Sequence, residues 1–217
     1  MSRPTPAPLD SAPLDRRVAT GLHKLGLALK HQTWSQASEH GLSPTQGQIL
    51  AVLAADGALS TSEVAARLGI GLPTISEAVT TLAKKRFLRR TPDPRHPRAR
   101  MLRLTAAGVR LSARTRAWPE FLTQAVGSLD DAEQATLLSA LMKMIRTLQV
   151  QGQIPISRMC VTCIHFRPHV RSGDTPHQCA FVDAPMGAAH LRLDCADHVP
   201  APEEHQRITW ASFANAV

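Results

Sequence analysis

Between Ser43 and Thr105 the chain is punctuated so densely that only short elements fit, and this spacing limits the fold more than any other feature. Ser43-Pro44-Thr45-Gln46 offers an N-cap hydroxyl, a proline at the first helical position and a glutamine at the third. Ile49, Leu50 and Leu53 then form an apolar stripe, and Asp56-Gly57 stops it. Ser60-Thr61-Ser62-Glu63 repeats the start signal before Val64, Ala65 and Leu68. Gly69-Ile70-Gly71 makes a tight turn. Pro73 opens a third helix with Ile75, Val79 and Leu82 at i, i+4 and i+7. Two runs of alternating apolar and basic residues follow, Phe87 to Thr91 and Met101 to Thr105, and they read as strands joined by a stiff, proline-rich turn. The order is helix, turn, helix, basic hairpin.

Charge singles out the same region. Lys84, Lys85, Arg86, Arg89, Arg90, Arg95, Arg98, Arg100 and Arg103 lie within twenty residues that contain one acid, Asp93. That stretch carries +8, the formal charge of the whole chain, so the basicity is one local feature. A field of this kind suits a phosphate backbone. The third helix adds Thr74, Ser76, Glu77, Thr80 and Thr81 on its outer arc, an array of short hydrogen-bonding groups with little charge, as reading base edges requires. Aromatic residues make up only 4% and tyrosine is absent, which argues against stacking platforms for single strands.

Around this centre, residues 1–14 hold four prolines and no apolar period and read as a mobile arm. Residues 15–40 carry Val18, Leu22, Leu25, Leu29 and Trp34 among polar residues, the pattern of a long amphipathic helix. A further helix is expected from Thr105 to about Val126 with a kink near Pro119. Asp130 and Glu133 cap a last one whose stripe is Leu137, Leu138, Leu141, Ile145 and Leu148. A boundary is expected near 152–157. A cysteine-rich segment then covers 158–200, and a tail 201–217 shows no assignable role. No apolar run approaches the ~18 residues of a membrane-spanning helix, and the first residues lack the apolar core of a signal peptide. The expectation is a cytoplasmic protein with no membrane partner.

Residues 43–105 resemble the MarR family of winged helix-turn-helix regulators. The likeness is carried by Leu-Ser-Pro-Thr-Gln at 42–46, Ser-Glu-Val-Ala-Ala-Arg-Leu-Gly-Ile at 62–70, Pro-Thr-Ile-Ser-Glu-Ala-Val-Thr-Thr-Leu at 73–82, and most specifically Asp-Pro-Arg-His-Pro-Arg-Ala-Arg-Met-Leu-Arg-Leu-Thr-Ala-Ala-Gly at 93–108. It extends over roughly 15–150. Gly71 stands where the recognition helix often has a capping serine, and Glu77 where many members have a basic residue. The resemblance implies a mainly α fold with a small β-wing, a homodimer formed through the long first and last helices, and a two-fold double-stranded DNA operator. By that likeness Asp93 begins the wing and Arg98 or Arg95 enters the minor groove. The candidate DNA-binding residues are Thr74, Ser76, Glu77 and Thr80 at base edges, Lys84 at phosphate, and Arg95, His96, Arg98 and Arg100 on the wing. Glu77 has an alternative role, capping the helix start and orienting an arginine.

All four cysteines fall in one segment, Cys160-x2-Cys163-x15-Cys179-x15-Cys195. Four thiols gathered in an intracellular chain argue for a tetrathiolate site and against structural disulfides. A zinc ribbon has two close pairs. One pair plus two isolated cysteines is more like an iron–sulfur cluster site, with 4Fe–4S favoured over 2Fe–2S. Zinc and a metal-free thiol switch stay open. His165, His169, His177, His190 and His198 are substitute ligands, hydrogen-bond donors or plain packing residues. The segment also resembles cysteine-rich tails attached to some MarR-type sequences.

The sequence thus predicts a winged helix-turn-helix dimer with a C-terminal cysteine-ligated extension. Its function is read as a DNA-binding regulator, a repressor, controlled by a cluster that senses redox, oxygen or iron state. The alternative is structural zinc with a small-molecule effector. An enzyme is not expected, because no Ser-His-Asp, paired-carboxylate or phosphate-loop motif occurs.

Overall fold

The computed structural model describes residues 12–93, 100–115 and 120–215. The chain divides into two compact units, Met1–Thr61 with Ile75–Leu122, and Ser62–Thr74 with Thr123–Val217.

In the first unit, helix α1 (Leu14–Glu39) buries only Ala37 and leaves Val18, Leu25, Leu27, Leu29 and Trp34 exposed. The apolar pattern that makes this segment amphipathic is therefore not consumed within the chain. Helix α2 (Pro44–Asp56) starts as the sequence predicts. The Gln46 N–H donates to Ser43 Oγ and the Ser43 N–H to Gln46 Oε1, each at 3.3 Å. Its Ile49, Leu50 and Leu53 are buried. Strand β1 (Leu59–Ser60) was not foreseen, since two residues carry no period. Helix α3 (Thr61–Leu68) and the start of helix α4 (Leu72–Lys84) fall, from Ser62 to Thr74, in the second unit; the first resumes at Ile75 with the rest of α4 and strands β2 (Leu88–Pro92) and β3 (Arg100–Leu104). The sheet order is β1-β3-β2, antiparallel throughout, with Leu59 opposite Leu102 and Leu88 opposite Leu104. Ile75, Ala78, Val79 and Leu82 form the buried face of α4, and Leu88, Met101 and Leu102 are buried on the hairpin.

One corner fixes the end of α4 to the base of the hairpin. Arg86 takes a left-handed conformation (φ 60), and the Phe87 N–H returns to Leu82 O at 3.0 Å, closing the helix. Thr105 answers from the far side of β3. Its N–H donates to Phe87 O at 3.0 Å and its hydroxyl to Arg86 O at 2.7 Å, while its Oγ1 accepts the Gly108 N–H at 3.1 Å. A Cβ on Gly108 would stand 1.9 Å from Phe87 O, so this close approach admits only glycine. Of the helix expected from Thr105 to Val126, α5 (Ala106–Thr115) and α6 (Glu120–Val126) are helical, and Pro119, where a kink is expected, lies outside the described residues.

In the second unit, Asp130 and Glu133 cap α7 (Asp131–Val150) reciprocally at 2.8 and 2.9 Å. Three short strands, β4 (Phe166–Arg167), β5 (His177–Cys179) and β6 (Ala184–Met186), form an antiparallel sheet in that order. A final helix, α8 (Glu203–Asn215), follows. Met142, Met159, Val161, Cys160, Cys163, Phe166, Met186, Leu191 and Phe213 make one core, joined by Leu138, Ile145, Leu193 and Trp210. Helix α7, the cysteine segment and α8 therefore share a single apolar interior. Within the stripe expected on α7, Leu138 and Ile145 face this core, whereas Leu137 is 36% exposed and Met142 is fully buried. No helix among the described residues is long and apolar enough to cross a membrane.

Candidate nucleic-acid interface and cysteine site

Helix α4 presents Thr74, Glu77, Thr80 and Lys84 in exposed positions, with Ser76 half-buried, on the arc left over once Ile75, Ala78, Val79 and Leu82 turn inward. Lys84 sits in the last turn, where the helix dipole favours a cation. The Thr80 hydroxyl donates to Ser76 O at 2.8 Å and accepts from Arg90 Nη2 at 3.4 Å. Arg90 lies opposite Leu102, and its guanidinium reaches out to the polar arc of α4. Sequence reasoning had missed Arg90 as part of this face. The signal was present in the consecutive Arg89 and Arg90, which strict alternation assigns to opposite sides of the sheet.

Arg89 and Arg103 are directly opposed across β2 and β3, and both are exposed. Like charges in that register repel by ~0.2–1 kcal/mol unless an anion lies between or above them. Arg100 is exposed at the start of β3. Asp93, at the end of β2, is buried at 7% exposure. Arg95, His96 and Arg98 lie outside the described residues.

The cysteines come from three local structures. Cys160 and Cys163 bracket a single 3-10 turn, in which the Cys163 N–H donates to Cys160 O at 2.9 Å. Cys179 ends β5, opposite Phe166 and Ala184. Cys195 is held by its N–H to Arg158 O at 2.9 Å. All four are free thiols, and all four line one cavity of about 430 Å3. That volume exceeds the ~30 Å3 share of one liquid water many times over. Phe166, Met186 and Leu191 supply buried apolar wall, while Phe181 and Val182 line it from exposed positions. Among the described residues, no group of three or more His, Cys, Asp and Glu is placed to hold a metal ion. The four thiols border one cavity.

Burial pushes the Cys160 thiol up to about 11. The Arg192 N–H, which donates to Cys160 Sγ at 3.3 Å, opposes this, and the other three cysteines add to the rise. Arg192 also directs a guanidinium N–H to Cys195 Sγ at 3.9 Å. Of the five histidines in the segment, His165 and His190 line the cavity. His190 Nδ1 already accepts the Gly187 N–H at 3.0 Å. His177 is buried between Phe166 and Phe213 and accepts the His169 N–H at Nδ1, and burial with the neighbouring His169 lowers its pKa to about 4. His198 lies 2.9 Å from the Thr162 hydroxyl.

Comparison with known proteins adds to this geometry. The model of the MarR family matches residues 40–99, which take in α2, α3, α4 and β2. An uncharacterised HTH-type transcriptional regulator of Bacillus subtilis (strain 168), YwaE, is 31% identical over 146 residues, covering 65% of this chain and 84% of that protein. The chain belongs to the MarR family. A solved Staphylococcus aureus MepR–DNA complex is 25% identical with a TM-score of 0.54, over 61% of this MarR-family chain and 98% of that one. An E. coli MarR mutant complexed with operator DNA is alike in fold, with 17% identity and a TM-score of 0.51 over 61% and 99% of the two chains. All four cysteines lie outside the residues that the family model matches.

Proposed function

We propose that this MarR-type regulator binds a two-fold DNA operator as a homodimer, and that an iron–sulfur cluster held by Cys160, Cys163, Cys179 and Cys195 sets its affinity. The observation that carries the reading is four free cysteines lining one cavity in a chain that also bears the winged-helix basic face. Two family structures, MepR and MarR, are described as DNA complexes. The apolar residues that α1 leaves uncovered supply a surface for a second copy.

The protein's own groups divide the work. Thr74, Ser76, Glu77 and Thr80 meet base edges in the major groove, where each good pair is worth ~1–3 kcal/mol of discrimination. Lys84, Arg89, Arg90, Arg100 and Arg103 meet phosphates, which relieves the cross-strand repulsion of Arg89 and Arg103. Arg95, His96 and Arg98 are assigned to the narrow minor groove. In a two-fold dimer the paired helices enter successive major grooves about 34 Å apart.

The donor set fits a cluster better than one zinc ion. One close pair plus two isolated cysteines is more like a cluster site than a zinc ribbon with its two close pairs, and the four thiols line a cavity with apolar walls. When bound, a cluster supplies an electron-accepting centre whose potential depends on hydrogen bonds to its sulfurs. Arg192 places two such donors, one on Cys160 and one on Cys195. Phe166 and Leu191 exclude water from the buried side.

The test is anaerobic purification with metal analysis and a duplex-binding titration. The expected result is coloured protein with visible absorption, iron and sulfide in fixed proportion, and different duplex affinity with and without iron. Colourless protein that contains only zinc overturns the cluster. Indifference to every duplex in a random pool overturns the DNA reading.

A further inference from the structure

We infer that the cysteine site communicates with the DNA-reading helix of its own chain through a direct dock, in which Pro155 seats against the Gly69 turn. The inference rests on the cluster reading and specifies its route.

Three observations within the second unit support it. First, the turn between α3 and α4 touches the strap that leads into the cysteines. Gly69 ends α3 with φ +63, and the Ile70 N–H returns to Ala65 O at 3.2 Å. A Cβ built on Gly69 would come within 2.8 Å of both Cγ and Cδ of Pro155, so the turn backbone lies on the proline ring. Second, Pro155 is anchored from behind. Gln149, buried at the end of α7, donates from Nε2 to Pro155 O at 3.2 Å and to Ser157 Oγ at 2.9 Å. Third, the next residues tie this strap to two ligand positions. Arg158 clamps Asp194 through two bonds of 2.6 and 3.0 Å, and Arg158 O accepts the N–H of Cys195, the neighbour of Asp194.

The path is therefore short and covalently defined. Residues 155–158 run from the turn to a position two before Cys160, and Asp194 is bonded to Cys195. Leu72, three residues beyond Gly69, begins α4. A change in the spacing of Cys160 and Cys195 moves Arg158 and Asp194, and the strap that carries Arg158 meets the turn through Pro155. A contact of this kind between two covalently anchored segments passes a displacement from one to the other.

The experiment uses the full chain, wild type and three variants: Asp194→Asn, Pro155→Ala and the pair together. Each is prepared anaerobically with reconstituted iron and sulfide and again without iron. The readouts are iron content, amide hydrogen exchange over residues 62–74 without DNA, and affinity for a duplex selected by the wild type from a random pool. In the wild type, loading alters exchange over 62–74 and shifts affinity by a factor in the ~5–150-fold range of ordinary coupling. In the double variant, iron content stays at the wild-type level, the exchange difference over 62–74 disappears and the affinity ratio falls to near unity. A double variant that keeps both differences overturns the dock. A wild type that shows neither difference overturns the cluster reading instead, so the two failures are distinct. Asp194 is an exposed side chain, so the Asp194→Asn variant alone reads the clamp to Arg158 in a folded protein.

Discussion

Gly108→Ala tests the corner that joins the recognition helix to the wing. The added Cβ would lie 1.9 Å from Phe87 O, against an ordinary carbon–oxygen approach of ~3.3 Å. The corner must open by about 1.4 Å, more than a rotamer change elsewhere can absorb, because both groups are backbone. Opening breaks the Thr105 N–H bond to Phe87 O, the Thr105 hydroxyl bond to Arg86 O and the Gly108 N–H bond to Thr105 Oγ1. At ~1 kcal/mol each the loss is about 3 kcal/mol. Alanine returns up to about 1 kcal/mol through helix propensity in α5, leaving a net destabilisation of about 2 kcal/mol. Thr105→Val is the comparison. It removes the two hydroxyl bonds but keeps the Thr105 N–H bond, so it costs about 1–2 kcal/mol without a clash. Urea unfolding followed by far-ultraviolet circular dichroism orders the three proteins: wild type, then Thr105→Val, then Gly108→Ala. Duplex affinity falls in the same order, because the wing base loses its fixed relation to the end of α4. A Gly108→Ala midpoint at or above the wild-type value would refute the close approach.

Arg89→Ala should have opposite effects on folding and binding. Relief of the Arg103 repulsion raises stability by ~0.2–1 kcal/mol, while loss of one phosphate contact reduces the salt slope of duplex affinity by ~0.9; an unchanged slope removes Arg89 from the interface. Phe213→Ala empties a site against Phe166, His177 and Trp210 and should cost ~3–5 kcal/mol in urea unfolding; a loss under 1 kcal/mol means α8 is not part of the core. Arg192→Met deletes the guanidinium donor to Cys195 Sγ and leaves the backbone donor to Cys160 Sγ. The midpoint potential of the loaded protein then moves negative, and a potential equal to wild type counts against this hydrogen bond.

The elements with local punctuation were legible in the sequence. Ser43 with Gln46 and Asp130 with Glu133 are written as capping boxes and are found as such. Ile75, Val79 and Leu82 carry the period of a buried helix face. What could not be read depends on contacts between distant residues. Strand β1 exists only because Leu59 meets Leu102. Arg90 joins the α4 face through its bond to Thr80, ten residues away in the chain. The three-stranded sheet around Cys179 is built from strands of two or three residues, too short to show a period of two. Helix α8 buries Phe213 together with the polar Thr209 and leaves Ile208 exposed, so its pattern alone gives no stripe. The cysteine spacing pointed to one site, but the apolar residues that wall its cavity are brought there by the fold.

The core in which Met142 of α7 meets Cys160 and Cys163 makes chemistry at the thiols inseparable from the melting of a helix. Any species that captures these sulfurs only in the folded arrangement stabilises the whole unit by mass action, by about 2.7 kcal/mol at a hundredfold excess over its dissociation constant. The lifetime of α7 in a cell then follows the supply of that species. A starved population would contain more opened chains for proteases to cut, so scarcity would register in the abundance of this protein as well as in its occupancy of DNA.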